Sequence, residues 1–139
     1  MSNGKRKSNK TGAWLPNEVL QSQAYKDLTS GAKNVLVAIA AQYRSDNNGD
    51  LSVAVTIVSL YGITSPDTIS RAVMQLRKHR LIRLTRQGMK FRNRPSLYAI
   101  TWKPIDKCGG KIGRLAGNVA KNDWRDYAGY PLPLEGYDQ

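Results

Sequence analysis

Between Arg71 and Arg94 the sequence places nine basic side chains, Arg71, Arg77, Lys78, Arg80, Arg83, Arg86, Lys90, Arg92 and Arg94, and not one Asp or Glu. A run this one-sided repels itself unless a polyanion relieves it, so the chemistry it suits is non-covalent pairing with phosphates. At its start lie short polar side chains of the kind that read base edges. Ser65, Thr68 and Ser70 can hydrogen-bond a phosphate or a base, Arg71 or Gln75 can make paired contacts to guanine or adenine, and Met74 can touch a thymine methyl group. Arg83, Arg86, Lys90, Arg92 and Arg94 would then hold the backbone or a minor groove. A second basic group, Lys5, Arg6, Lys7 and Lys10, sits near the N-terminus.

Other chemistries find little support. His79 is the only histidine and stands between Lys78 and Arg80, where solvent exposure or a phosphate contact is expected rather than catalysis. Cys108, the only cysteine, has neither a second thiol nor a neighbouring histidine, so a spare thiol is expected and no nucleophile or metal site. The glycines of Gly109-Gly110-Lys111-Ile112-Gly113 lack the spacing of a phosphate loop. Asp46-Asn47-Asn48-Gly49-Asp50 lacks the glutamate that closes a calcium loop. No cofactor and no enzymatic activity are expected.

The elements that must carry the basic run follow from pattern. The chain has 139 residues, 40% of them apolar or aromatic, and a net charge of +12, which suits one domain with tails and a polyanionic partner. Residues 1–12 hold no aliphatic side chain after Met1, and a flexible basic arm is expected there. Trp14, Leu15, Val19 and Leu20 open the apolar part, followed by a helix capped by Thr29 or Ser30, with Ala32, Val35, Leu36, Ile39, Ala40 and Tyr43 on one face. Arg44 to Asp50 reads as a loop and Leu51 as a brief strand. A short helix then ends at Gly62, and another begins with Ser65 as cap and Pro66 in its first turn. This last helix would bury Ile69, Ala72, Val73 and Leu76. Its opposite face would carry Asp67, Ser70, Arg71, Met74 and Lys78, with Gln75 at the flank.

Leu81 to Thr85 and Ser96 to Trp102 alternate as strands around a basic turn, which predicts a hairpin. Trp14, Tyr98 and Trp102 are expected in the core. After Pro104 the pattern fades into glycine, proline and aromatic residues, and Trp124, Tyr127 and Tyr130 would dock part of this tail on the body or on a second copy. The longest apolar stretch, Val35 to Ala41, is far short of the roughly 20 residues that span a bilayer, so no membrane span is expected.

Gly62-Ile63-Thr64-Ser65-Pro66-Asp67-Thr68-Ile69-Ser70-Arg71 resembles the helix-turn-helix signature of bacterial regulators, a glycine, a small aliphatic residue, Ser or Thr, and a Thr-Val-Ser-Arg-like run. Val58 stands where the commonest pattern has Ala, and the step from Gly62 to Thr68 is one residue longer than in the simplest repressors. From Trp14 to Pro104 the chain is similar to the winged helix-turn-helix domains of small regulators and replication initiators of plasmids, phages and mobile elements. The resemblance implies an α+β, mainly helical fold with a three-helix core and a C-terminal β-hairpin wing. It divides the chain into an arm (1–12), a domain (13–104) and a tail (105–139). It also implies double-stranded DNA as partner. A homodimer is an option because one helix in one groove reads few base pairs and the tail aromatics can supply an interface, and a cytoplasmic, nucleoid-associated place is expected by default without a membrane span or secretory signal. The alternatives are a protein-interaction module on the same frame, serving as inhibitor or adaptor, and an RNA or single-strand binder using Trp14, Tyr98, Trp102 and the arginines.

Overall fold

The computed structural model describes residues 11–89 and 94–137, and among them forms an α+β fold of five α-helices and one two-stranded antiparallel sheet. Two four-residue helices, α1 (Asn17–Leu20) and α2 (Gln23–Lys26), lead into α3 (Ser30–Ala40). Thr29 caps α3, its hydroxyl accepting from the Ala32 N–H at 3.2 Å. Of the expected stripe, Ala32, Val35, Leu36, Ile39 and Ala40 are buried, while Tyr43 falls beyond the helix end and is half-buried. Leu51 is not part of a continuous strand but makes a single antiparallel bridge with Tyr98. The short α4 (Val55–Val58) continues as a 3-10 turn and stops at Gly62, whose φ of 85° suits glycine.

The longest helix, α5 (Pro66–Lys78), starts as the sequence foretells. Ser65 accepts from the Thr68 N–H at 3.3 Å and Pro66 fills the first turn, where its missing N–H costs nothing. Ile69, Ala72, Val73 and Leu76 face inward. Packing of α5 on α3 is close at Gly31, where a Cβ would lie 3.4 Å from Thr68 Cγ2. Each fully buried Leu or Ile at this seam contributes about 1.5–3 kcal/mol, so the helix is held by its apolar stripe and the opposite face is left for other work.

Strands β1 (Ile82–Arg86) and β2 (Leu97–Ile100) pair antiparallel, with Ile82 opposite Ile100 and Leu84 opposite Tyr98. The register shifts between Leu84 and Arg86. At this bulge the Thr85 hydroxyl turns inward and donates to the Gly49 carbonyl at 2.6 Å. The sheet differs from the one-sided hairpin of the sequence reading, because every residue of β2 is buried. Tyr98 and Ile100 join the main core, whereas Leu97 and Ala99 pack on Ile105 and Ile112 of the C-terminal segment. Gly49, at φ 121°, fits under that segment, since a Cβ would come within 2.8 Å of Ile112 Cδ1.

Asn48 ties these parts together from full burial. Its amide nitrogen donates to the carbonyls of Ile100, Lys103 and Pro104 at 3.0, 3.1 and 2.9 Å, and its amide oxygen accepts from Ile100 N–H at 2.8 Å. The loop that resembles a calcium site is therefore built around a structural amide.

Further expectations need correction. Tyr130 is 79% exposed and does not dock the tail on the body. His79 is buried, 3% exposed, with Nδ1 2.8 Å from the Ala24 carbonyl and its ring stacked on Tyr127 at 4.2 Å. The turn after α5 points it inward, and an aromatic side chain from the tail covers it. Trp14 is not a core residue: it is 54% exposed, and the Lys103 ammonium lies 4.4 Å over its ring.

Candidate nucleic-acid interface

The outer face of α5 is open along its first two turns. Ser65, Asp67, Thr68, Ser70, Arg71 and Met74 are all exposed, the side chains of Arg71 and Asp67 by 79% and 69%. Arg71 donates to the Asp67 carboxylate one turn away, and that hydrogen bond raises an already high guanidinium pKa. An exposed pair of this kind contributes little to stability, so it holds Arg71 on the surface without fixing it.

Towards the end of the helix the face closes. Gln75 is half-buried, and its Oε1 accepts from both the backbone N–H and the hydroxyl of Thr29, each at 3.1 Å. Lys78 is half-buried, and its carbonyl accepts the Leu132 N–H at 2.9 Å. Pro131 thus comes alongside α5, where it shares a cavity of about 230 Å³ with Arg71, Met74 and Lys78. A larger groove of about 400 Å³ runs between the start of α3 and α5, lined by Thr29, Gly31, Thr68, Arg71 and Gln75.

The basic run divides into two groups. Arg80 is buried at φ 63°, with its guanidinium 3.8 Å from the Tyr137 ring and donating to the Pro133 carbonyl. Arg83 pairs with Asp123 at 3.3 Å, donates to the Tyr137 carbonyl at 2.8 Å and also lies against that ring. These two cations hold the C-terminal segment. Burial and the Asp123 carboxylate push the Tyr137 hydroxyl above its ordinary pKa, which keeps it a hydrogen-bond donor to that carboxylate at 3.1 Å.

Arg86 is half-buried and donates to the Pro95 carbonyl at 3.0 Å across the hairpin, whereas Arg94 is exposed. Lys90 and Arg92, expected at the hairpin turn, and Lys5, Arg6, Lys7 and Lys10 of the arm lie outside the described residues. Of the three aromatics considered for stacking on bases, Tyr98 and Trp102 are buried and Trp14 alone is exposed, with Lys103 over its ring. Among the described residues no group of three His, Cys, Asp or Glu side chains is placed to hold a metal ion. No helix among them is long and apolar enough to cross a membrane.

Pro131 and Tyr137 shape this surface without any signal in their sequence context, and Thr29 is announced only as a helix cap. The contacts of Thr29 with Gln75 and of Tyr137 with Arg83 span 46 and 54 residues, and nothing local announces them. No protein-family model, curated protein or solved structure matches the chain.

Proposed function

We propose that the chain binds duplex DNA with sequence preference through a winged helix-turn-helix arrangement, as a transcriptional regulator or a replication-associated protein, without a cofactor. In this reading α5 enters the major groove, and the hairpin between β1 and β2 serves as the wing beside it. The observation that carries it is the open polar face of α5. Ser65, Thr68, Ser70, Arg71 and Met74 are exposed together on a helix whose opposite stripe is fully engaged in the core. Arg94 on the hairpin supplies an exposed cation, and the order helix, bridge, helix, turn, helix, hairpin suits such a domain.

Mechanistically, occupancy is the activity. Cations neutralise phosphates and give affinity, while the α5 side chains discriminate among base edges. The test is retention of a random duplex library on the purified protein, followed by sequencing. An enriched motif is expected, with Arg71→Ala weakening the selected site about ten- to hundredfold and relaxing one base position. Equal losses on selected and random duplexes would remove Arg71 from the reading, and no retention at moderate salt would refute the proposal.

A further inference from the structure

The amide of Gln75 has a settled polarity. The Thr29 backbone N–H, 3.1 Å from it, can only donate, so the amide atom facing it is the oxygen. The Thr29 hydroxyl already accepts from the Ala32 N–H as the cap of α3, and its own hydrogen is directed to the same Gln75 oxygen, 3.1 Å away. Both lone pairs of Oε1 are thereby occupied by one residue. What Gln75 has left to offer a ligand is its amide nitrogen and two hydrogens.

Gln75 lines the groove of about 400 Å³ together with Arg71 and Thr68. Arg71 carries donors only, and the Thr68 hydroxyl can donate. We propose that this groove is a binding site for a ligand edge made of acceptors, the N7 and O6 of guanine or the oxygens of a phosphate, with Gln75 acting as a donor. This rests on the duplex-DNA reading above. A glutamine that reads adenine must accept from N6 while donating to N7. The Thr29 contact takes away the accepting half, so adenine is disfavoured. Guanine presents two acceptors side by side in the major groove and needs nothing that the pinned amide lacks.

Three short duplexes serve as probes: alternating G·C, the same duplex with 7-deazaguanine, and alternating A·T. Gln75→Glu keeps an oxygen for Thr29 but removes both amide hydrogens, and Gln75→Met removes them without adding charge. Wild type is expected to favour the G·C duplex over its 7-deaza form by about tenfold. Both variants should lose that preference, with Gln75→Glu melting close to wild type and Gln75→Met somewhat lower for the two exposed Thr29 contacts it forgoes. Losses of equal size on all three duplexes in both variants would support the same site with phosphate as its acceptor. A loss in Gln75→Glu alone would be charge repulsion and would overturn the site, as would wild-type binding by both variants. A wild-type chain that binds no duplex would overturn the DNA reading and this site together.

Discussion

Arg83 and Arg94 belong to the same basic run, yet Arg83 is bound into the fold and Arg94 is exposed, and replacing each by glutamine separates a structural cation from one proposed to meet a phosphate. Arg83 is 18% exposed in its side chain and Asp123 is 17% exposed, so their ion pair is largely shielded from water. Loss of the guanidinium leaves the Asp123 carboxylate with Tyr137 as its neutral donor and breaks the contact to the Tyr137 carbonyl. A cost of about 1–3 kcal/mol follows for a charge left with fewer partners, or a melting temperature lower by roughly 4–10 °C. Each phosphate neutralised contributes about 0.9 to the slope of log affinity against log salt. On the duplex reading, the cations of the run other than Arg80 and Arg83, which are committed to Tyr137, share that slope, and each one that meets a phosphate adds about 0.9. Fluorescence anisotropy of a labelled duplex over a salt series is the assay. Arg94→Gln should flatten the slope by about 0.9 at an unchanged melting temperature, and Arg83→Gln should lower the melting temperature at an unchanged slope. The reverse pattern would refute the assignment of Arg83 to the C-terminal segment.

Asn48→Ala removes the amide that joins the 44–50 loop, the end of β2 and the segment after it. Its nitrogen has two hydrogens for three carbonyls and its oxygen serves the buried Ile100 N–H, so about three hydrogen bonds are lost and one donor is stranded, roughly 4 kcal/mol in urea unfolding. A loss below about 1 kcal/mol would contradict its role as a tie. Tyr127 gives a pH dependence: burial, then its hydrogen bond to Asp27, push its hydroxyl up to about 12. A raised folded pKa means that this contribution is complete below the unfolded value of about 10 and is lost as pH rises through 12. The drop in urea midpoint between pH about 9 and about 12 should therefore shrink in Tyr127→Phe; an unchanged drop would remove Tyr127 from the account.

The helices were legible because each of their determinants is local. A cap, a stripe at three- and four-residue spacing and, for α5, a proline in the first turn suffice to place α3 and α5, and a glycine at the end places the stop after α4. Leu51 was legible as a short extended residue for the same reason. The depth of β2 was not: alternation announces one buried face, and the second is covered by Ile105 and Ile112 from a segment with no pattern of its own. Neighbouring charges likewise suggested an exposed His79. Its burial depends on Ala24 and Tyr127, 55 and 48 residues away.

The candidate interface shows the same limit from the side of function. A run of nine cations without an anion reads as one surface, because sequence distance is all that a charge count can use. In three dimensions Asp123 and Tyr137 reach back across 40 and 54 residues and divide the run, taking Arg83 into the fold together with Arg80. The division follows from the desolvation of a guanidinium, which is tolerable where a carboxylate, carbonyls and an aromatic face replace water. The C-terminal segment supplies all three. Arg71 stays on the surface because its one anionic partner, Asp67, lies on the same exposed helix face and cannot draw it inward. Gln75 stands between these cases, with its oxygen committed to the fold and its nitrogen not, so the chemistry it can offer a ligand is set by Thr29. A side chain that the sequence offers as a two-way reader is therefore held as a one-way donor, which is the ground for proposing guanine or a phosphate rather than adenine as its ligand.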